Sequence, residues 1–101
     1  MNVEPSLLID QAQEVAGILK QLSNKYRLII LCTLTEGELS VGELNEKIPL
    51  SQSALSQHLG KLREAQLVTT RRKSQTIFYS VEDQKVLALL KALYENYCLI
   101  E

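Results

Sequence analysis

The chain has 101 residues, 46% of them hydrophobic, and eleven Lys and Arg against twelve Asp and Glu, for a formal charge of −1. A chain of this length buries roughly 60–70% of its unfolded surface around one core, so a single domain over residues 1–101 is expected, and the charge balance alone argues for neither nucleic acid nor membrane. The longest apolar runs, such as Leu28 to Cys32, fall far short of the ~18 residues that cross a bilayer, and MNVEPSLLID carries acids where an export signal has lysines, so a cytoplasmic protein without a membrane partner is expected.

Pro5 opens a first helix, on which Leu8, Ala12, Val15, Leu19 and Leu22 recur at helical spacing. Ser23 and Asn24 offer an N-cap for a second, from Lys25 to about Thr35, whose LIILC run no single stripe explains and which should be buried on most sides. Glu36-Gly37 ends it. Ser40 with Glu43 three residues on is a capping-box pattern, predicting a short helix VGELNEKI that Pro49 closes. Ser51 caps a fourth helix, on which Leu55, Leu59 and Leu62 share a narrow arc facing the core. Ser53, Gln57 and Gly60 lie opposite, flanked by Ser56 and Lys61.

After Gln66 the period changes to two. LVTTRR, a break at Lys73-Ser74-Gln75, and TIFYSV predict a two-stranded hairpin with a basic, polar tip. Glu82-Asp83 then precedes a last helix, QKVLALLKALYENYCLI, whose Val86, Leu87, Leu89, Leu90, Leu93, Tyr94 and Tyr97 cover more than half its circumference. Four helices, a hairpin and a helix make a mainly α winged helix-turn-helix with a small β-hairpin. The first and last helices carry more apolar surface than so small a core absorbs, which predicts a two-fold homodimer through them.

Charge is unevenly placed. Lys61, Arg63, Arg71, Arg72 and Lys73 fall within thirteen residues that hold one acid, Glu64, while the rest of the chain is acidic. A major groove admits one helix, and short donors and acceptors at its N-terminal end read base edges. Ser53, Ser56 and Gln57 occupy that end; Ser51 and Gln52, in the opening turn where free N–H groups favour an anion, suit a phosphate, and Gly60 allows close approach. Arg71, Arg72, Lys73 and Gln75 can meet adjacent phosphates or the minor groove, with Lys61 beside them. His58, on the edge of the apolar arc, is expected to pack or to contact phosphate. Either feature alone fits an ordinary solvated helix or turn; their adjacency, in the order the fold requires, favours double-stranded DNA.

The stretch ELSVGELNEKIPLSQSALSQHLGKLREAQLVTTRRKSQTIFYSV resembles the DNA-binding core of the ArsR family of bacterial repressors, and the similarity extends over almost the whole chain. LSQSALSQHL, LVTTR and QTIFYS are most similar to a branch that groups a vibrio virulence regulator with persulfide-responsive repressors. The resemblance implies homodimers on an AT-rich, pseudo-palindromic operator, with the fourth helix in the major groove, the hairpin as wing, and work at the bacterial nucleoid. Metal-sensing members carry an ELCVCDL-type motif; here ELSVGEL puts Ser40 and Gly42 where thiolates should be, and the last helix has no histidine, so neither metal nor other cofactor is expected.

Cys32 and Cys98 match in spacing the sensor cysteines of that branch, which implies a response to persulfide or oxidant by linking, directly or through additional sulfur atoms. The residues themselves leave open that Cys32 is a buried small hydrophobe and Cys98 a thiol at a frayed end. Other readings are an activator that displaces a silencer and has structural cysteines, and a winged-helix protein-interaction module, which should have an acidic or apolar wing. A thiol oxidoreductase would want paired cysteines at a helix N-terminus, and no phosphate loop, nucleophile elbow or acid cluster supports another enzyme.

Overall fold

A computed structural model describes residues 1–98. Five helices, α1 (Pro5–Leu22), α2 (Lys25–Thr33), α3 (Val41–Lys47), α4 (Gln52–Glu64) and α5 (Gln84–Tyr97), combine with strands β1 (Leu39–Ser40), β2 (Thr69–Lys73) and β3 (Thr76–Ser80). This is the winged helix-turn-helix that the patterning predicts; Leu99 and Ile100, the expected end of the last helix, lie outside the described residues.

Local chemistry sets the helix starts. Asn24 accepts from the Tyr26 and Arg27 amides at 3.0 and 3.1 Å, Ser51 from Ala54 at 3.2 Å, and Asp83 from Lys85 at 2.8 Å. Ser40 and Glu43 complete the reciprocal capping box, the Ser40 amide donating to Glu43 at 3.0 Å and the Glu43 amide to Ser40 at 3.1 Å. Each such cap contributes about 1 kcal/mol. The end of α4 is equally specified. Gln66 takes φ 62°, its amide bonds to the Arg63 carbonyl at 3.0 Å, and the Leu67 amide reaches back to Leu62 at 2.9 Å. These two bonds make a Schellman motif, which turns the chain from α4 into β2.

Two expectations need correction. The second helix ends at Thr33, not near Thr35: the chain tightens into a 3-10 turn over Leu34–Glu36, where the Thr35 hydroxyl donates to the Cys32 carbonyl at 2.7 Å, and Gly37 leaves at φ 154°. The expected hairpin forms as β2–β3, but a third strand joins it, giving the antiparallel order β1-β3-β2, because Leu39 pairs with Tyr79 and Ser40 with Phe78. A two-residue strand is too short to display a period; Leu39 and Tyr79 both pack against the core and carry their backbones into register. In the β2–β3 ladder Arg71 faces Phe78, Arg72 faces Ile77 and Lys73 faces Thr76, and Ser74 makes the tight turn at φ 57°.

The core lies where α2, α3, α4 and α5 meet the base of the sheet. Ile30, Leu31, Leu44, Leu55, Leu62 and Leu90 are completely buried. In LIILC only Ile30 and Leu31 are enclosed, whereas Leu28, Ile29 and Cys32 are half-buried, so one side of α2 remains open. The first helix buries Leu22 alone and leaves Leu7, Leu8, Ile9, Val15 and Leu19 at 46–73% exposure; on α5, Tyr94 and Tyr97 are similarly bare. Among the described residues no helix is long and apolar enough to cross a membrane.

Candidate nucleic-acid interface and thiol groove

Leu55, Leu59 and Leu62, all within 1% of full burial, fix the rotation of α4 about its axis. Its opposite face is thereby presented outward, and Ser51, Gln52, Ser53, Ser56, Gln57, Gly60 and Lys61 are all exposed. Nothing lies within 4 Å of where a Cβ on Gly60 would be, so the face is open along its length. The corner between α3 and α4 is bridged by a residue that the sequence pattern does not single out: the Asn45 amide donates to the Leu50 carbonyl at 2.7 Å across the turn containing Pro49.

His58 lies at the margin of this face. Its ring is half-buried, 6.2 Å from that of Tyr26, and its Nδ1 is enclosed without a hydrogen-bond partner among the described residues. Burial first, then the charges of Arg27 and Lys61, hold its pKa below the ordinary histidine value. Packing, rather than free exposure, describes its surroundings.

On the wing Arg72, Lys73 and Gln75 are exposed. Arg71 is exposed too, yet already engaged. Its Nε and Nη2 donate to the two Glu38 carboxylate oxygens at 3.1 and 2.5 Å, and its guanidinium lies 4.9 Å from the Phe78 ring centre. Among the described residues this is the only ion pair. The guanidinium hydrogen bond holds the Glu38 carboxyl below its usual range, with the charges of Arg71 and Lys73 adding to the effect.

The two cysteines come together. Cys32, in the last turn of α2, and Cys98, at the end of α5, line one groove of about 850 Å³ whose other walls include Leu28, Ile29, Leu93 and Tyr94. Cys32 is half-buried and Cys98 exposed. Burial, followed by the nearby Cys98, raises the Cys32 pKa, so Cys32 rests as a thiol. Lys91, Lys47 and Glu38 also line the groove. Among the described residues no cluster of three or more His, Cys, Asp or Glu side chains could hold a metal ion.

Glu38 and Asn45 escape sequence reading because their partners depend on tertiary placement, 33 positions away for Glu38. Asn45 offers a faint signal, an amide side chain just before a Pro-containing helix break.

Residues 24–70 match the pattern of the bacterial regulatory proteins of the arsR family. The chain is 50% identical over 88 residues to the biofilm growth-associated repressor of Xylella fastidiosa, covering 87% of this chain and 77% of that protein. The chain belongs to the ArsR family. A further member, the transcriptional activator HlyU of Vibrio cholerae, is 51% identical over 81 residues, which cover 80% of this chain and 75% of HlyU. The crystal structure of the repressor BigR from Xylella fastidiosa superimposes with a TM-score of 0.90 at 45% identity, covering 97% of this chain and all of that one. As an ArsR-family member the chain is a DNA-binding transcriptional regulator rather than an enzyme.

Proposed function

We propose that the chain acts in the cytoplasm as a homodimer on an AT-rich, pseudo-palindromic operator, and that linkage of Cys32 to Cys98 lowers its operator affinity. The observation that carries the DNA part is the polar face of α4, held outward by three buried leucines beside a basic wing. Gln57 suits a bidentate contact to adenine, Ser53 and Ser56 suit either base, and Ser51 and Gln52 meet a phosphate at the helix start. Lys61, Arg72, Lys73 and Gln75 supply backbone contacts on either side. His58 supports the helix from behind through Tyr26.

Dimerisation is supported by the bare apolar flanks of α1 and α5. Leu7, Ile9 and Tyr97 are each more than 70% exposed, a cost of about 25 cal/mol per Å² that a second copy removes. A two-fold axis through these helices presents two copies of α4 to half-sites one helical turn apart.

The sulfur part rests on the shared groove. Exposed Cys98 is the thiol a reagent meets first; half-buried Cys32 is the resolving partner. Cys98 thiolate takes the outer sulfur of a low-molecular-weight persulfide and releases that molecule's thiol. Cys32, giving up its proton as it attacks the Cys98 sulfur, expels hydrosulfide, which takes up that proton and leaves as hydrogen sulfide; a disulfide remains, and the two cysteines supply the two electrons that reduce the persulfide. Linkage draws the end of α5 towards α2 and strains the path from dimer interface to α4. The test is operator titration with reduced and with polysulfide-treated protein; equal affinities in the two states would overturn the sensing part.

A further inference from the structure

Glu38 touches two regions that the fold otherwise separates. Its carboxylate accepts both arms of the Arg71 fork in the middle of β2, while the same residue lines the groove that holds Cys32 and Cys98. Arg71 is clamped from its other side by Phe78, its partner across the β2–β3 ladder, and Phe78 is paired in turn with Ser40, two residues after Glu38. The clamp is therefore a closed circuit: Glu38 to Arg71, Arg71 to Phe78, Phe78 to Ser40, and back along the chain. A bidentate carboxylate–guanidinium pair fixes orientation as well as distance, which a lysine in place of arginine would not do. Exposed ion pairs add little to folding stability, so the consequence of this one lies in where it holds the wing.

We infer that Glu38 and Arg71 are positioning residues for operator binding: Arg71 is occupied by Glu38 rather than by phosphate, and the pair sets the angle at which Arg72 and Lys73 meet DNA. Because Glu38 stands in the groove wall, a shift of that wall on thiol linkage passes through the same clamp to the wing; this second step rests on the sulfur-sensing reading above. The clamp gives the signal from Cys32 and Cys98 a route to the wing that does not run through α4.

The alternative role for Arg71, a phosphate contact that Glu38 restrains, predicts the opposite sign. The test uses the whole chain and a duplex selected by the reduced wild-type protein from a random-sequence pool. Glu38→Gln keeps the Arg71 charge and removes the fork's partner. It is expected to weaken binding about threefold, within the range that exposed pairs span, with an unchanged thermal midpoint. Arg71→Lys should do the same, and the exchange Glu38→Arg with Arg71→Glu should return affinity to within about twofold of wild type. Tighter binding by Glu38→Gln, or an exchange variant as weak as the single ones, overturns the positioning role. With polysulfide, the wild-type loss of affinity should shrink in Glu38→Gln. An undiminished loss overturns the coupling alone; no loss in wild type removes the coupling together with the sulfur reading, and the reduced-state comparison then still decides the positioning role.

Discussion

The Asn45 side-chain amide bonds to the Leu50 carbonyl at 2.7 Å and ties the last turn of α3 to the residue before the Ser51 cap of α4. Together with the Leu50 amide, which donates to Ile48 at 2.8 Å, it closes the helix-turn-helix corner around Pro49. This corner and the leucines behind α4 together hold its polar face outward.

Replacing Asn45 by Ala leaves a part-buried carbonyl without its partner, at a cost of about 1 kcal/mol. For a chain of this size that lowers the thermal midpoint by roughly 4–8 °C. Operator affinity should fall further than the loss of folded protein accounts for, because α4 loses its fixed angle. Calorimetry and binding measured on one preparation check both; an affinity that follows only the folded fraction rules out the aiming role.

His58 predicts a pH response. Burial, Arg27 and Lys61 keep its imidazole neutral in the folded chain more firmly than in the unfolded one. The unfolded chain therefore takes up the proton first, and the stability present above the ordinary value of about 6.5 is lost as pH falls below it. The thermal midpoint should drop between pH 7.5 and 5.5, and His58→Gln should flatten that drop. A wild-type slope equal to that of the variant shows that His58 contributes nothing in this window.

Cys32→Ser and Cys98→Ser should each bind operator like the reduced wild type, since both side chains line a groove to which neither α4 nor the wing contributes. Both should resist polysulfide-induced release. Their intermediates should differ by mass: Cys32→Ser keeps the exposed thiol that captures sulfur and should accumulate a persulfide, while Cys98→Ser should react slowly through its protected Cys32. Full release in both variants contradicts the sensing role.

Much of this was legible in the sequence, for reasons that differ by element. Asn24, Ser40 with Glu43, Ser51 and Asp83 carry their instructions within three residues, so the helix starts follow from local chemistry. Leu55, Leu59 and Leu62 give the rotation of α4 by period alone. What escaped depends on distant partners. Strand β1 exists because Leu39 meets Tyr79, forty positions on, and the engagement of Arg71 exists because Glu38 is delivered to it by that same strand. Pattern reading sees Arg71 only as one more positive charge in a basic wing. The pairing of Cys32 with Cys98 was legible only through the family resemblance, since their sharing of one groove follows from the packing of α2 against α5.

The most direct test of the central claim is the salt dependence of operator binding by the reduced protein, followed by fluorescence anisotropy between 50 and 200 mM salt. Wild-type affinity should fall steeply across that range. Lys73→Ala should reduce the slope of log affinity against log salt by about one, whereas Gln57→Ala should leave the slope intact and relax discrimination at one base pair by roughly 1–3 kcal/mol. A flat salt response, or a Gln57→Ala variant that discriminates as wild type does, would contradict an α4 and wing that read DNA.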